Sequence, residues 1–159
     1  PVLVDDGLTI WESLAIIDHV ARKHPDSKLW PERPDHRTCA MAMSSEMVSS
    51  FAALRSACPM NMRRTPAPVP LTPAISADVD RIQSLWIQAL ADSGGPFLFG
   101  AFSVADAMFA PVVNRLDVYG FQTKPEVKAY IERMKALPAW REWEDAGRAE
   151  PWIVEEDEA

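Results

Sequence analysis

Gly100-Ala101-Phe102-Ser103-Val104-Ala105-Asp106 constrains this chain more than any other stretch, because it joins a helix-start signal to an apolar run. Ser103 reads as an N-cap and Asp106 as its N3 partner. The serine oxygen can accept from the Asp106 N–H while the Asp106 carboxylate reaches back to the Ser103 N–H. That is a capping box with aspartate in the place of Glu or Gln, worth roughly 1 kcal/mol. Ala105, Met108, Phe109, Val112, Val113 and Leu116 follow, apolar on more than one face, with almost no charge before Arg115. A helix of that kind belongs in the middle of a bundle. An aspartate beside such a run also suits a catalytic acid, but capping accounts for its spacing.

The start of the chain has a different period. Pro1 to Ile10 reads as a strand, an Asp6-Gly7 turn and a second strand. A two-stranded hairpin is marginal alone, so the remaining strands of a sheet are expected upstream. From Trp11 the apolar period lengthens, with Leu14, Ile17 and Ala21 on one face of a helix ending near His24. Pro25, Pro31 and Pro34 then mark residues 25–34 as a linker. A long helix is expected from Asp35 until Pro59 interrupts it, with Ala40, Met43, Met47, Ser50, Phe51 and Leu54 on its stripe and both cysteines, Cys39 and Cys58, along its length. The proline-rich residues 65–73 read as a connection inside a bundle. Helices follow near 75–92, from Ser103 to about Tyr119, from Pro125 to Leu137, and in a short last piece with Trp140 and Trp143. The expected fold class is α+β: a partial thioredoxin-like domain of hairpin and helix at 1–24, a linker at 25–34, and an all-α domain of about five helices at 35–159.

Composition excludes several classes. The net charge of −7 argues against a nucleic-acid partner, although the acidic tail Glu155-Glu156-Asp157-Glu158 supplies much of the excess and reads as solvated. No apolar run is long enough to cross a membrane. Two cysteines placed far apart on one helix cannot form a disulfide, which favours a reducing, cytoplasmic setting. His19, His24 and His36 have no partners at ligand spacing, so no metal site is expected. Cys58 reads as a small buried apolar residue rather than a reactive thiol, and Arg63-Arg64 as a solvated basic pair.

In order and spacing these pieces resemble a cytosolic glutathione S-transferase, from the second half of its thioredoxin-like domain onward. Pro1-Val2-Leu3 resembles the strand that follows a cis-proline. Asp6-Gly7 to Glu12-Ser13 resembles the hairpin and helix start that bind the γ-glutamyl end of glutathione. Pro34-Asp35 to Arg37-Ala40 resembles the entry to the helical domain, and Gly100 to Asp106 the family's capping box. The stretch from Phe51 to Asn61 is similar to that of a bacterial, zeta-related subgroup.

The resemblance implies glutathione as co-substrate, a homodimer and a cytoplasmic location. The Val2 backbone would pair with the cysteinyl backbone of glutathione as a short ladder; from the residues alone it is an ordinary sheet strand. Ser13 and the free N–H groups of its helix would take the γ-glutamyl carboxylate, and Glu12 the ammonium. A capping pair at a solvent-facing helix start fits the same residues. Met47, Phe51 and Arg55, spaced four apart, would share a face lining the pocket of a small apolar electrophile, with Asn61 adding a polar contact; a plain core and a surface charge fit equally. The residue that activates the thiol is expected upstream of Pro1. The function implied is attack of the glutathione thiolate on that electrophile, against two alternatives: a zeta-like glutathione-dependent isomerase, and a non-catalytic binding or assembly module.

Overall fold

A computed structural model describes residues 1–158, the Glu156 side chain excepted. Val2–Asp5 forms β1 and Leu8–Trp11 forms β2, paired antiparallel with Leu3 opposite Ile10. Asp6 (φ 49°) and Gly7 (φ 81°) make the turn between them. Two left-handed residues give a turn whose twist matches the flanking strands, the reason Asp-Gly signals a hairpin. Helix α1, Ser13–Lys23, packs Leu14, Ile17 and Ala21 toward the core. The Asp5 carboxylate ties β1 to this helix, accepting from His19 Nε2 at 2.7 Å and Lys23 Nζ at 2.6 Å.

A single 3₁₀ turn, Pro25–Ser27, leads to buried Trp30 and then to α2, Pro34–Ser49. The long helix expected up to Pro59 does not form. It stops at Ser49, Phe51 takes a left-handed conformation (φ 61°), and α3 runs over Ala52–Ala57. The break is tertiary in origin. Phe51 is buried in the core, and the Leu54 N–H near the start of α3 donates to Asp78 Oδ2 of the next helix at 3.0 Å. Burying a phenylalanine ring offsets the 1–2 kcal/mol, roughly, that a left-handed residue costs. Cys39 is therefore exposed on α2 while Cys58 is buried at the end of α3, on separate helices.

The prolines of 65–72 cross the surface as irregular chain, pinned where the Ala67 N–H donates to the Val118 carbonyl at 3.0 Å. Helix α4, Pro73–Ser93, is capped by the Thr72 hydroxyl and closed by left-handed Gly94. Helix α5 is Val104–Val118, α6 is Pro125–Lys135 and α7 is Pro138–Ala149; a 3₁₀ turn, Glu155–Asp157, lies in the tail. The break at Phe51 makes six bundle helices of the expected five. Ten of the 15 residues of α5 are buried, which puts it at the centre. Across it, Trp86 of α4 meets Phe109 edge-on at 5.6 Å and Tyr130 of α6 at 4.9 Å.

Candidate functional site

The chain turns from β2 into α1 at Glu12, which sits at φ 76°, ψ 132°, a conformation that side-chain-bearing residues rarely adopt. From there its Oε2 accepts from the Leu14 N–H at 2.9 Å and its carbonyl starts the helix ladder at the Ile16 N–H. The Ser13 and Ala15 N–H groups and the Ser13 hydroxyl have no partner among the described residues. No acidic side chain lies within the first turn itself. The result is a helix start with unsatisfied donors and a positive dipole end, suited to a carboxylate. Val2 lies opposite Trp11 in the hairpin, so the Val2 backbone comes within one residue of Glu12 along β2. Three of the expected binding residues, Val2, Glu12 and Ser13, thus share one corner.

The other expected group does not assemble as the spacing implies. Met47 and Phe51 are buried in the core, while Arg55 is exposed and donates to the Val48 carbonyl at 2.9 Å. With α2 and α3 separated at Phe51, a shared helical face for the three does not exist. Asn61 is buried and committed: its N–H meets Asn114 Oδ1, its Oδ1 accepts from the Arg63 N–H, and its Nδ2 donates to the Asp157 carbonyl at 3.1 Å. It lines a cavity of about 250 Å³ with Arg63, Trp143, Trp152 and Asp157.

Asp106 is fully buried and accepts from the Leu98 N–H, the Ser103 N–H, the Ser103 hydroxyl and the Tyr130 hydroxyl, all between 2.9 and 3.1 Å. Burial raises its pKa against the pull of these four donors, and burial lifts Tyr130 well above a free phenol. A carboxylate so enclosed caps and cross-links rather than catalyses. Among the described residues no group of three or more His, Cys, Asp or Glu is placed to hold a metal.

The expectation that Arg63-Arg64 is a solvated basic pair fails. Arg63 donates to the Glu150 carbonyl and to Glu158 Oε1 at 3.1 Å, so the tail lies against the turn after α3 while Glu155, Asp157 and Glu158 stay exposed. Arg64 stacks on the Tyr119 ring at 4.3 Å with its Nε buried. The residue the sequence most undervalued is Arg115. It is 9% exposed and donates through Nε to the Cys58 carbonyl at 2.7 Å. Its signal was visible as the lone cation in the apolar run of α5.

Residues 71–146, from just before α4 into α7, match the family described as glutathione S-transferase, C-terminal domain. The matched stretch, a little under half of the chain, is similar to the C-terminal domain of glutathione S-transferases. A glutathione transferase homologue from Burkholderia, crystallised with bound glutathione, superposes with a TM-score of 0.70 at 25% identity, over 94% of this chain and 73% of that one. A glutathione transferase from Populus trichocarpa gives 0.64 at 17% identity, over 94% and 75%, which speaks for the fold alone. A probable maleylacetoacetate isomerase of Caenorhabditis elegans is 41% identical over 56 residues. That match spans 35% of this chain and about a quarter, 26%, of the isomerase. The matched residues take in both the Asp106 cap and Arg115.

Proposed function

We propose that this chain binds glutathione at the β2–α1 corner and presents its thiol to a small electrophile. The γ-glutamyl carboxylate sits on the Ser13 hydroxyl and the free N–H groups of α1, the ammonium meets Glu12, and the cysteinyl backbone pairs with Val2. The observation that carries this is the strained Glu12, whose positive φ turns the chain so that the helix start opens beside the hairpin. Backbone strain of this kind costs on the order of 1–3 kcal/mol and is kept where a site needs it. The Burkholderia homologue with bound glutathione supports the ligand. The residues here supply binding and orientation; a hydrogen bond to the sulfur that lowers the thiol pKa would make it the nucleophile.

Calorimetric titration with glutathione tests this. Ser13→Ala should weaken binding by about 1–3 kcal/mol, the loss of a charge-assisted hydrogen bond, with the melting temperature nearly unchanged. Equal affinity in the variant and the unaltered chain would remove the assignment. The isomerase match favours a second reading, a glutathione-dependent isomerisation in which glutathione serves as a cofactor and not as a substrate. The two separate on whether glutathione is consumed or recovered during turnover.

A further inference from the structure

Ser76, Val79, Asp80 and Gln83, spaced three and four apart, share one face of α4. Two irregular stretches, residues 68–71 and 119–122, lie against that face, and between them and the helix stays a cavity of about 430 Å³. That volume falls in the usual range, roughly 300–1,000 Å³, of small-molecule sites. The walls are held in place. Proline fixes φ at positions 68 and 70, and the Ala67 N–H is pinned to the Val118 carbonyl at 3.0 Å. Gly120 comes so near Pro68 that a Cβ there would lie 3.5 Å from the Pro68 Cα. A cavity with fixed walls takes a ligand at less cost in ordering.

Two polar side chains on the α4 face give this cavity its chemistry. Gln83 is only 4% exposed, yet just one end of its amide is used: Oε1 accepts from the Lys124 N–H at 2.9 Å, while Nε2 has no partner among the described residues. A buried amide donor left unpaired is unfavourable, and this side chain lines the cavity, so Nε2 calls for an acceptor on whatever enters. Asp80, three residues earlier, is exposed, and its carboxylate has no partner among the described residues. The neighbouring Arg81 is spent on Glu46 at 2.7 Å. Among the described residues Asp80 is the only charged side chain lining the cavity, so the charge that it favours there is positive. Val69, Leu71, Val79 and Phe121 supply apolar surface, with Leu71 60% exposed at the rim.

We propose that this cavity binds a small apolar amine with a carbonyl beside the amino group, as in an amino-acid amide. The ammonium meets Asp80, the carbonyl accepts from Gln83 Nε2, and the apolar group lies between Val69, Val79 and Phe121. Neither Glu12 nor Ser13 lines the cavity, so the site stands or falls separately from glutathione binding. L-phenylalaninamide is the probe, titrated into the full chain without glutathione and followed by backbone amide NMR shifts. Phenethylamine, which lacks the carbonyl, and N-acetyl-phenylalaninamide, which lacks the ammonium, are the comparisons. Saturable binding of phenylalaninamide at millimolar concentration or better is expected, with shifts centred on Val79, Gln83 and Phe121 and weaker binding of both comparisons. Asp80→Asn should weaken phenylalaninamide by about threefold to fivefold, the worth of an exposed ion pair, and leave the acetylated compound unchanged. Gln83→Met should weaken phenylalaninamide by about fivefold or more and leave phenethylamine unchanged. Ser13→Ala should leave the Kd for phenylalaninamide as it is. Should Gln83→Met melt early, the ligand series and Asp80→Asn decide alone. No saturation, shifts centred elsewhere, equal binding of either comparison, or an unchanged Kd in Asp80→Asn would each overturn the proposal.

Discussion

Asp106→Ala is the substitution whose cost can be worked most fully from the structure. The carboxylate accepts from the Leu98 and Ser103 N–H groups and the Tyr130 hydroxyl, none of which has another partner among the described residues, while the Ser103 hydroxyl can rotate. Each buried donor left unsatisfied costs about 1–3 kcal/mol, so three of them come to roughly 3–9. Losing the anion at the start of α5 adds about 0.5 kcal/mol through the helix dipole. Relief of the desolvation that raises the Asp106 pKa returns part of this, leaving a net loss of about 4 kcal/mol. For a urea slope of about 2 kcal/mol/M the midpoint should fall by about 2 M. Asp106→Asn keeps one carbonyl acceptor and should lose about half as much; Tyr130→Phe removes a single donor and should lose about 1 kcal/mol. Urea unfolding of the three variants by tryptophan fluorescence checks the order. A loss below about 1 kcal/mol in Asp106→Ala at an unchanged slope would mean that the hydrogen-bonded network does not hold α5 in register.

The other predictions concern strain and acid stability. Glu12→Gly relieves the positive φ but loses the cap to Leu14, two effects of about 1 kcal/mol and opposite sign, so its melting temperature should stay near that of the unaltered chain while glutathione affinity falls. Glu12→Ala keeps the strain and loses the cap, and should melt lower. Asp35 has its pKa lowered from 3.8 to about 2, first by its hydrogen bonds with Arg33. A depressed folded pKa means stability that is fully present above 3.8 and lost as pH falls toward about 2. In acid titrations followed by circular dichroism, Asp35→Asn should be flatter through that window; a curve identical to that of the unaltered chain would show that the pair adds nothing.

Much of this molecule was legible where local rules and tertiary packing agree. Asp6-Gly7 announces its turn because two left-handed residues favour that dipeptide, and Ser103 with Asp106 announces a helix start by spacing alone. The double-faced apolar run after Ser103 placed α5 at the centre. What stayed hidden depends on partners remote in sequence. Nothing near Phe51 signals a break, because Asp78 of α4 and the core pocket around the ring decide it. The solvated reading of Arg63 and Arg64 failed for the same reason, since Glu158 and Tyr119 meet these arginines only in the fold. At the β2–α1 corner the residue types were readable, but the Glu12 conformation was not, since glutamate has no intrinsic preference for it.

The central claim is that the start of α1 holds the γ-glutamyl end of glutathione, and a crystal structure of this chain with glutathione tests it most directly. The account predicts the γ-glutamyl carboxylate within hydrogen-bond distance of Ser13 Oγ and the Ser13 or Ala15 N–H, with Glu12 still at positive φ. Glutathione bound elsewhere, with the start of α1 facing only water, would contradict it.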